Sequence, residues 1–397
     1  MPRWTKIALT LLGLSFYVAC SDVKFDAKPS SDCKDFNNNF GEGTCEVNPS
    51  GYQKFDYSVR MGDVDILFVT DNSGSMFKDQ QEMATKFPGF LDSIRGIDYQ
   101  LAIITTDISA SRDNPADEAN GNGALWDGKF IEFPNGHKVL KNSNDVNSIH
   151  ESNIDHFADT IQRPESATCD NSDFRNCPSS DERGIYAANM ALDRSENQSF
   201  FRNTGHLAIV ILSDEDERST GGEHIGNVKG PALEPYDLPS TLVEKAATQL
   251  GQTKTMSVHS IIIQPGDSSC KKSQDDQGNE WVLGQYGDKY HELSNPSTSL
   301  IEMGKVGRSS GGSVLMKGTD GSICSGNYTQ ELGDISDFIK ETPLQLPCSP
   351  VNGSLMITTT PKITGLTYDL DQNNRVIFSE RVVGTNVNLK FECSRTE

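Results

Sequence analysis

The 397-residue chain is short of positive charge: 35 Lys and Arg stand against 56 Asp and Glu, a formal net charge of −21. A nucleic-acid partner demands a basic surface, so that class is excluded. The nine cysteines contain no Cys-x-x-Cys pair and are too scattered for a zinc knuckle. His150-Glu151 is followed by His156, an i, i+6 spacing that puts the two imidazoles on different helix faces. A zinc-protease helix needs His-Glu-x-x-His instead. His291-Glu292 lacks a second histidine, and neither a Gly-x-Ser-x-Gly elbow nor a phosphate loop occurs. With no catalytic set in view, an enzyme is not expected. Beyond Ala19 no apolar run is long enough to span a membrane.

What is present starts at the N-terminus. Arg3 and Lys6 precede an apolar stretch from Ile7 to Ala19 and then Cys20, the layout of a signal peptide. Tyr17-Val18-Ala19-Cys20 resembles a bacterial lipobox, with Tyr17 where Leu is usual. That resemblance implies a lipidated Cys20 and membrane contact through the anchor alone. The alternative is ordinary cleavage, with Cys20 a structural or free thiol. Ser21 in place of Asp favours, by the same resemblance, the outer membrane. Without Cys20 the cysteines are even in number, enough for four disulfides in an oxidising compartment. Locality suggests Cys33–Cys45, Cys169–Cys177, Cys270–Cys324 and Cys348–Cys393.

After a signal segment over 1–20, residues 21–56 read as a polar tether, with a disulfide loop from Cys33 to Cys45. From 57 to 346 buried strands alternate with amphipathic helices. Strands are predicted at Val64–Thr70, Tyr99–Thr106, Leu207–Ser213, Met256–Ile263 and Ser313–Met316. Helices are predicted at Lys78–Ile94, Val146–Ile161, Glu182–Asp193, Ser240–Leu250, Ser299–Val306 and Tyr328–Glu341. This alternation predicts an α/β fold with a doubly wound, mainly parallel sheet. Long polar loops interrupt it, and Lys129–Pro134 with His137–Leu140 reads as a hairpin across Asn135-Gly136. Residues 347–397 read as a small β module tied by Cys348 and Cys393.

The most informative stretch is Val64-Asp-Ile-Leu-Phe-Val-Thr-Asp-Asn-Ser-Gly-Ser-Met76. A β-branched run stops at Asp71, and Asp71, Ser73 and Ser75 follow at alternate positions. Three oxygen ligands just past a strand end suit a hard dication that keeps some waters. Carboxyl ends of strands are also where open α/β sheets bind ligands. The bland alternative is an Asx/Ser turn capping the next helix. A second buried strand, Leu207–Ser213, likewise ends at Asp214, followed by Glu215, Asp216 and Glu217.

Asp-x-Ser-x-Ser after such a strand resembles the metal-ion-dependent adhesion site of von Willebrand factor type A domains. The resemblance covers about Val64 to Glu341. It implies that Asp71, Ser73 and Ser75 ligate the metal and that Asp214 holds a metal-bound water. The family's second loop supplies a Thr five residues before a Gly that opens a helix. Gly184-Ile185 matches that opening and places Ser179 at the Thr position. Ser180 or Glu182 takes the role after a small register shift, and exported bacterial type A lipoproteins look similar near Glu182. The competing reading is a helix capped by Ser180, with Asp181 and Glu182 at its positive end.

By resemblance, a partner's Glu or Asp carboxylate replaces one metal-bound water. The expected function is therefore metal-dependent binding of a protein ligand, adhesion or envelope interaction, with Mg²⁺, Ca²⁺ or Mn²⁺ as cofactor. The alternatives are a structural envelope lipoprotein whose fold the metal stabilises, or docked on its own C-terminal module, and an envelope hydrolase. Asp369, Asp371, Asn373 and Glu380 fit a calcium-loop spacing, but Asn374 stands where Gly is required, so a hairpin turn is expected. Trp126 and Trp281 lie in polar loops and read as packed against them, with interface anchors as the alternative.

Overall fold

The computed structural model describes residue 33 and residues 43–108, 127–142, 146–168, 182–218, 233–277, 284–308, 312–326, 328–341, 343–380, 382 and 384–394. Cys20, Cys169, Cys177, Ser179, Ser180, Trp126 and Trp281 lie outside the described residues.

Two strands open the chain, β1 (Gly43–Val47) and β2 (Gln53–Arg60), before the central run β3 (Val64–Thr70). There follow α1 (Phe77–Ser93), β4 (Tyr99–Thr105), β5 (Leu140–Lys141), α2 (Val146–Ile161), α3 (Pro164–Thr168) and α4 (Gly184–Asp193). Next come β6 (His206–Leu212), α5 (Pro239–Gln249), β7 (Thr255–Ile262), α6 (Ser268–Gln277), α7 (Asp288–Ser294) and α8 (Thr298–Met303). The chain continues through β8 (Leu315–Met316), β9 (Asp320–Ser322), α9 (Thr329–Glu341) and β10 (Leu344–Gln345). It ends with β11 (Met356–Thr360), β12 (Tyr368–Leu370), β13 (Arg375–Phe378) and β14 (Asn386–Cys393).

The central sheet runs β5-β4-β3-β6-β7-β8, with β9 also on β7. It is parallel apart from β5, which pairs antiparallel with β4 at Leu101↔Leu140. Every residue of β3, β4, β6 and β7 is buried, as a sheet covered on both faces requires. Alternation along β3 sends Ile66 and Phe68 to a cluster with Phe87 of α1, Phe157 of α2 and Ile335 of α9. It sends Leu67 and Val69 to the other face, against Ile185 of α4, Leu242 of α5 and Tyr290 of α7. The fold is thus mixed α/β with a mostly parallel, helix-covered sheet, compatible with a Rossmann-like core.

The tether reading is corrected for part of its length. β1 and β2 form a hairpin, and β2 pairs antiparallel with β14 over eight residues, in a sheet ordered β1-β2-β14-β11. A second small sheet, β10-β13-β12, packs with it around Phe55, Tyr57, Leu346, Val376, Leu389 and Phe391. Alternating burial in β2, Gln53 in and Lys54 out, buries Phe55, Tyr57 and Val59 on that core. The β module is therefore assembled from both flanks of the α/β unit. Disulfides Cys33–Cys45 and Cys348–Cys393 close it, and Cys270–Cys324 lies in the α/β unit.

The hairpin at Asn135-Gly136 keeps its turn, with Phe133 N donating to His137 O at 2.7 Å. Its first arm pairs elsewhere: Ile131 N donates to Ile103 O of β4, burying Ile131 and Phe133. At β12–β13 the turn is as expected. Asp371 Oδ1 accepts the amides of Asn373 and Arg375, both at 2.8 Å, and Asn374 takes φ 60°. Among the described residues no helix is long and apolar enough to cross a membrane.

Candidate metal centre

Strands β3 and β6 lie side by side in the sheet, Thr70 opposite Leu212, so their C-terminal loops emerge together. Asp71 N donates to Leu212 O, which ties the first loop to the neighbouring strand end. Asp71 Oδ1 accepts the Ser73 amide at 2.8 Å, and its Oδ2 accepts the Ser213 hydroxyl at 2.8 Å. The Ser73 and Ser75 hydroxyls are 2.9 Å apart, and Ser75 Oγ donates to Asp214 Oδ1 at 3.2 Å. Asp71 and Asp214 are buried, while Ser73 and Ser75 are half-exposed and form the outer side. Four of the expected ligands are thus gathered in one hydrogen-bonded cluster.

A buried polar network fixes the first loop from below. Gln80 of α1 donates to Asp71 O at 2.8 Å and to Ser166 Oγ of α3 at 3.0 Å. Ser166 donates to Asn72 O at 2.7 Å, and Asn72 Nδ2 reaches Glu165, itself paired with Arg163. The Asp-x-Ser-x-Ser backbone is held by side chains rather than by helix capping alone. At α1 the cap is Met76, without a side-chain capping bond.

The second loop differs from expectation. Helix α4 starts at Gly184, not Glu182, because Arg183 takes φ −123° and ψ 57°. Glu182 is not in the helix's first turn. It is buried, and its Oε2 accepts the Thr106 hydroxyl at 2.7 Å, past the end of β4. The α4 amides of Ile185 and Tyr186 instead donate to Glu217, at 2.7 and 3.0 Å. An acid from the third loop therefore sits at the positive helix end. Arg183 turns inward and forms a two-point pair with Asp237, both bonds 2.8 Å, plus a contact to Glu234. The third loop is thereby pinned at both ends beside the cluster.

Charge is unbalanced here. Burial holds Asp71, Asp214 and Glu182 above the usual carboxylate range, and the charge of Asp71 adds to the rise at the other two. The guanidinium of Arg218 opposes this at Asp71 and Glu182; its Nη2 contacts Glu215, and its amide donates to Glu182 O at 3.0 Å. A dication would relieve the same repulsion, so carboxylates with hydroxyls between them fit a hard metal. Among the described residues no three His, Cys, Asp or Glu side chains are placed to hold a metal. The fit is to a hydroxyl-rich site around Asp71 and Asp214, with Glu182 held on the Thr106 hydroxyl.

Sequence reasoning missed Ser213, Thr106, Glu217, Arg183 and Asp237. The run Asp214-Glu-Asp-Glu217 carries no local pattern marking which acids turn inward. The Arg183–Asp237 pairing spans 54 residues.

No protein-family profile matches the chain, and no curated protein does. Among solved structures, it is similar to the pilus adhesin SpaC from Lactobacillus rhamnosus GG in its open conformation, at 10% identity and TM-score 0.34. That match covers 88% of this chain and 42% of SpaC. The human COPII-coat protein Sec24c gives 10% identity and TM-score 0.34, over 86% of this chain and 42% of its own. The pilus adhesin RrgA from Streptococcus pneumoniae gives 10% and 0.29, over 86% and 58%. This chain thus spans less than two thirds of each of these proteins. At such identities and scores the likenesses carry no argument about what it does.

Proposed function

We propose that this chain is an exported lipoprotein with a doubly wound type A domain that binds a protein ligand through a divalent cation. One observation carries the reading: Asp71, Ser73, Ser75 and Asp214, from two adjacent strand ends, form one cluster whose serines are partly exposed. When bound, the cation offers an electrophilic position to an acidic side chain of the partner. Asp71 supplies charge, Ser73 and Ser75 supply neutral oxygens, and Ser213 and Gln80 hold the Asp71 segment in place. Ser179 or Glu182 completes the second loop. The lipid on Cys20 tethers the domain at the envelope.

Docking of the metal site on the chain's own β module has no support. The module meets the α/β unit at the N-terminal strand ends: Arg375 reaches Ser313 O and Leu315 O, and Gly384 approaches Gly96 O. The cluster lies at the opposite ends of the strands. The test is capture of envelope proteins on immobilised wild-type chain, with Mg²⁺ or with EDTA, beside Asp71→Ala. Partners retained only with metal and only by wild type are expected. Equal retention under all three conditions would contradict the reading.

A further inference from the structure

Two guanidinium groups, one buried and one half-buried, lie where the β module meets the α/β unit. Arg308 is 7% exposed, and its Nη2 donates to the carbonyls of Gln252 and Lys254 at 2.5 and 2.8 Å. Arg375 of β13 donates from Nη2 to the carbonyls of Ser313 and Leu315, at 3.3 and 3.4 Å. Strands β7 and β8 pair in parallel with Met256 opposite Leu315. Lys254 and Ser313 stand two residues earlier on each, so the arginines reach the same strand ends from the two sides.

Their remaining donors are unmet. Among the described residues, Nε and Nη1 of Arg308 and Nε of Arg375 have no hydrogen-bond partner, and these atoms are closed off from solvent. Among the described residues neither arginine has a carboxylate at ion-pair distance. Asp371 acts on Arg375 from further off, and its Oδ1 is taken by two backbone amides. Asp65 is no free counter-charge either, because Lys254 and Arg202 match it at 2.6 and 2.7 Å. The histidines at this end, His206 and His259, are held neutral by burial.

Burial and the facing charge of Arg375 bring Arg308 down to about 10, still cationic at neutral pH. Two like charges, one buried and one half-buried, with unpaired donors and no carboxylate at ion-pair distance among the described residues are costly. A buried anion answers both deficits at once. The unmet donors come from two separate segments of the chain and are closed off from solvent, which favours a small monatomic ion over a tetrahedral oxyanion.

We propose that Arg308 and Arg375 together bind a chloride-class anion that joins the β module to the α/β unit. The test is the melting temperature of the full chain in sodium chloride, bromide or gluconate at one ionic strength. Chloride and bromide should raise it saturably, by on the order of 2–4 °C, while gluconate does not. Arg375→Met, at a half-buried position, should remove that increment, and so should Arg308→Met if it folds. A bromide-soaked wild-type crystal should show an anomalous peak between the two guanidiniums. Equal melting in all three salts, an increment that survives in folded Arg375→Met, or a peak only elsewhere would overturn the proposal. So would stabilisation by phosphate and not by halide.

Discussion

Ser75 Oγ donates to Asp214 Oδ1 at 3.2 Å, joining two strand-end loops that are 139 residues apart in sequence. Both residues follow buried β-strands that pair in register, so the sheet itself brings them together. Ser75 is partly exposed and Asp214 buried, the order a partly hydrated hard cation needs.

Ser213→Ala removes the hydroxyl that Asp71 Oδ2 accepts and leaves that oxygen buried without it. The expected loss of stability is about 1–3 kcal/mol. Urea denaturation should show a lower midpoint with an unchanged slope, and weaker metal binding should accompany it. A stability equal to wild type would remove Ser213 from the support of the site.

Arg183 and Asp237 are both fully buried, so breaking the pair from one side strands a charge. Arg183→Met is expected to cost about 3–5 kcal/mol. The double variant Arg183→Met with Asp237→Leu should recover much of that. Equal losses in the single and double variants would deny the coupling.

With Ser179 as the second-loop ligand, Glu182 acts on the cluster by its charge. Glu182→Gln should therefore weaken metal binding by less than tenfold, under about 1.4 kcal/mol. Ser179→Ala should cost about 1–2 kcal/mol of binding, and Ser179→Thr should preserve it. A loss well beyond tenfold in Glu182→Gln, with Ser179→Ala silent, would put the carboxylate on the ion.

Acidity should stabilise the metal-free chain. Burial raises Asp63 and Asp79 to about 6 and Asp216 to about 7, and raises Asp71, Asp214, Glu182 and Glu217 as well. The folded state then keeps protons that the unfolded chain releases near the ordinary carboxylate values. Stability falls as pH rises from about 4 through 6 and 7. His206 and His259, held low, act oppositely below about 6.5, but these two are outnumbered by seven carboxyls. Urea midpoints in EDTA should drop between pH 5 and 7.5, and Mg²⁺ should flatten the drop. A midpoint that rises across that range in EDTA would contradict the charge account.

Much of the α/β unit was legible because its signals are local. β3 lies at the predicted Val64–Thr70, and β4 ends one residue before the predicted Thr106. Continuous apolar runs leave little doubt about buried strands. Three of the cysteine pairs chosen by locality are disulfides. The β module was only half legible, because the partner of β2 is β14, at the far end of the chain. Nothing in the Gln53–Arg60 sequence names that partner. In the site, Asp71, Ser73, Ser75 and Asp214 were marked by the strands they follow. Glu217 and Arg183 were not, because a charged side chain's inward turn depends on a partner far off in sequence.

The central claim is that Asp71 anchors a divalent cation. Calorimetric titration of wild type and Asp71→Ala with Mg²⁺, Mn²⁺ and Ca²⁺, with folding checked by circular dichroism, tests it most directly. Saturable binding by wild type, abolished in a folded Asp71→Ala, is the expected result. Undiminished binding by the folded variant, or none by wild type, would contradict it.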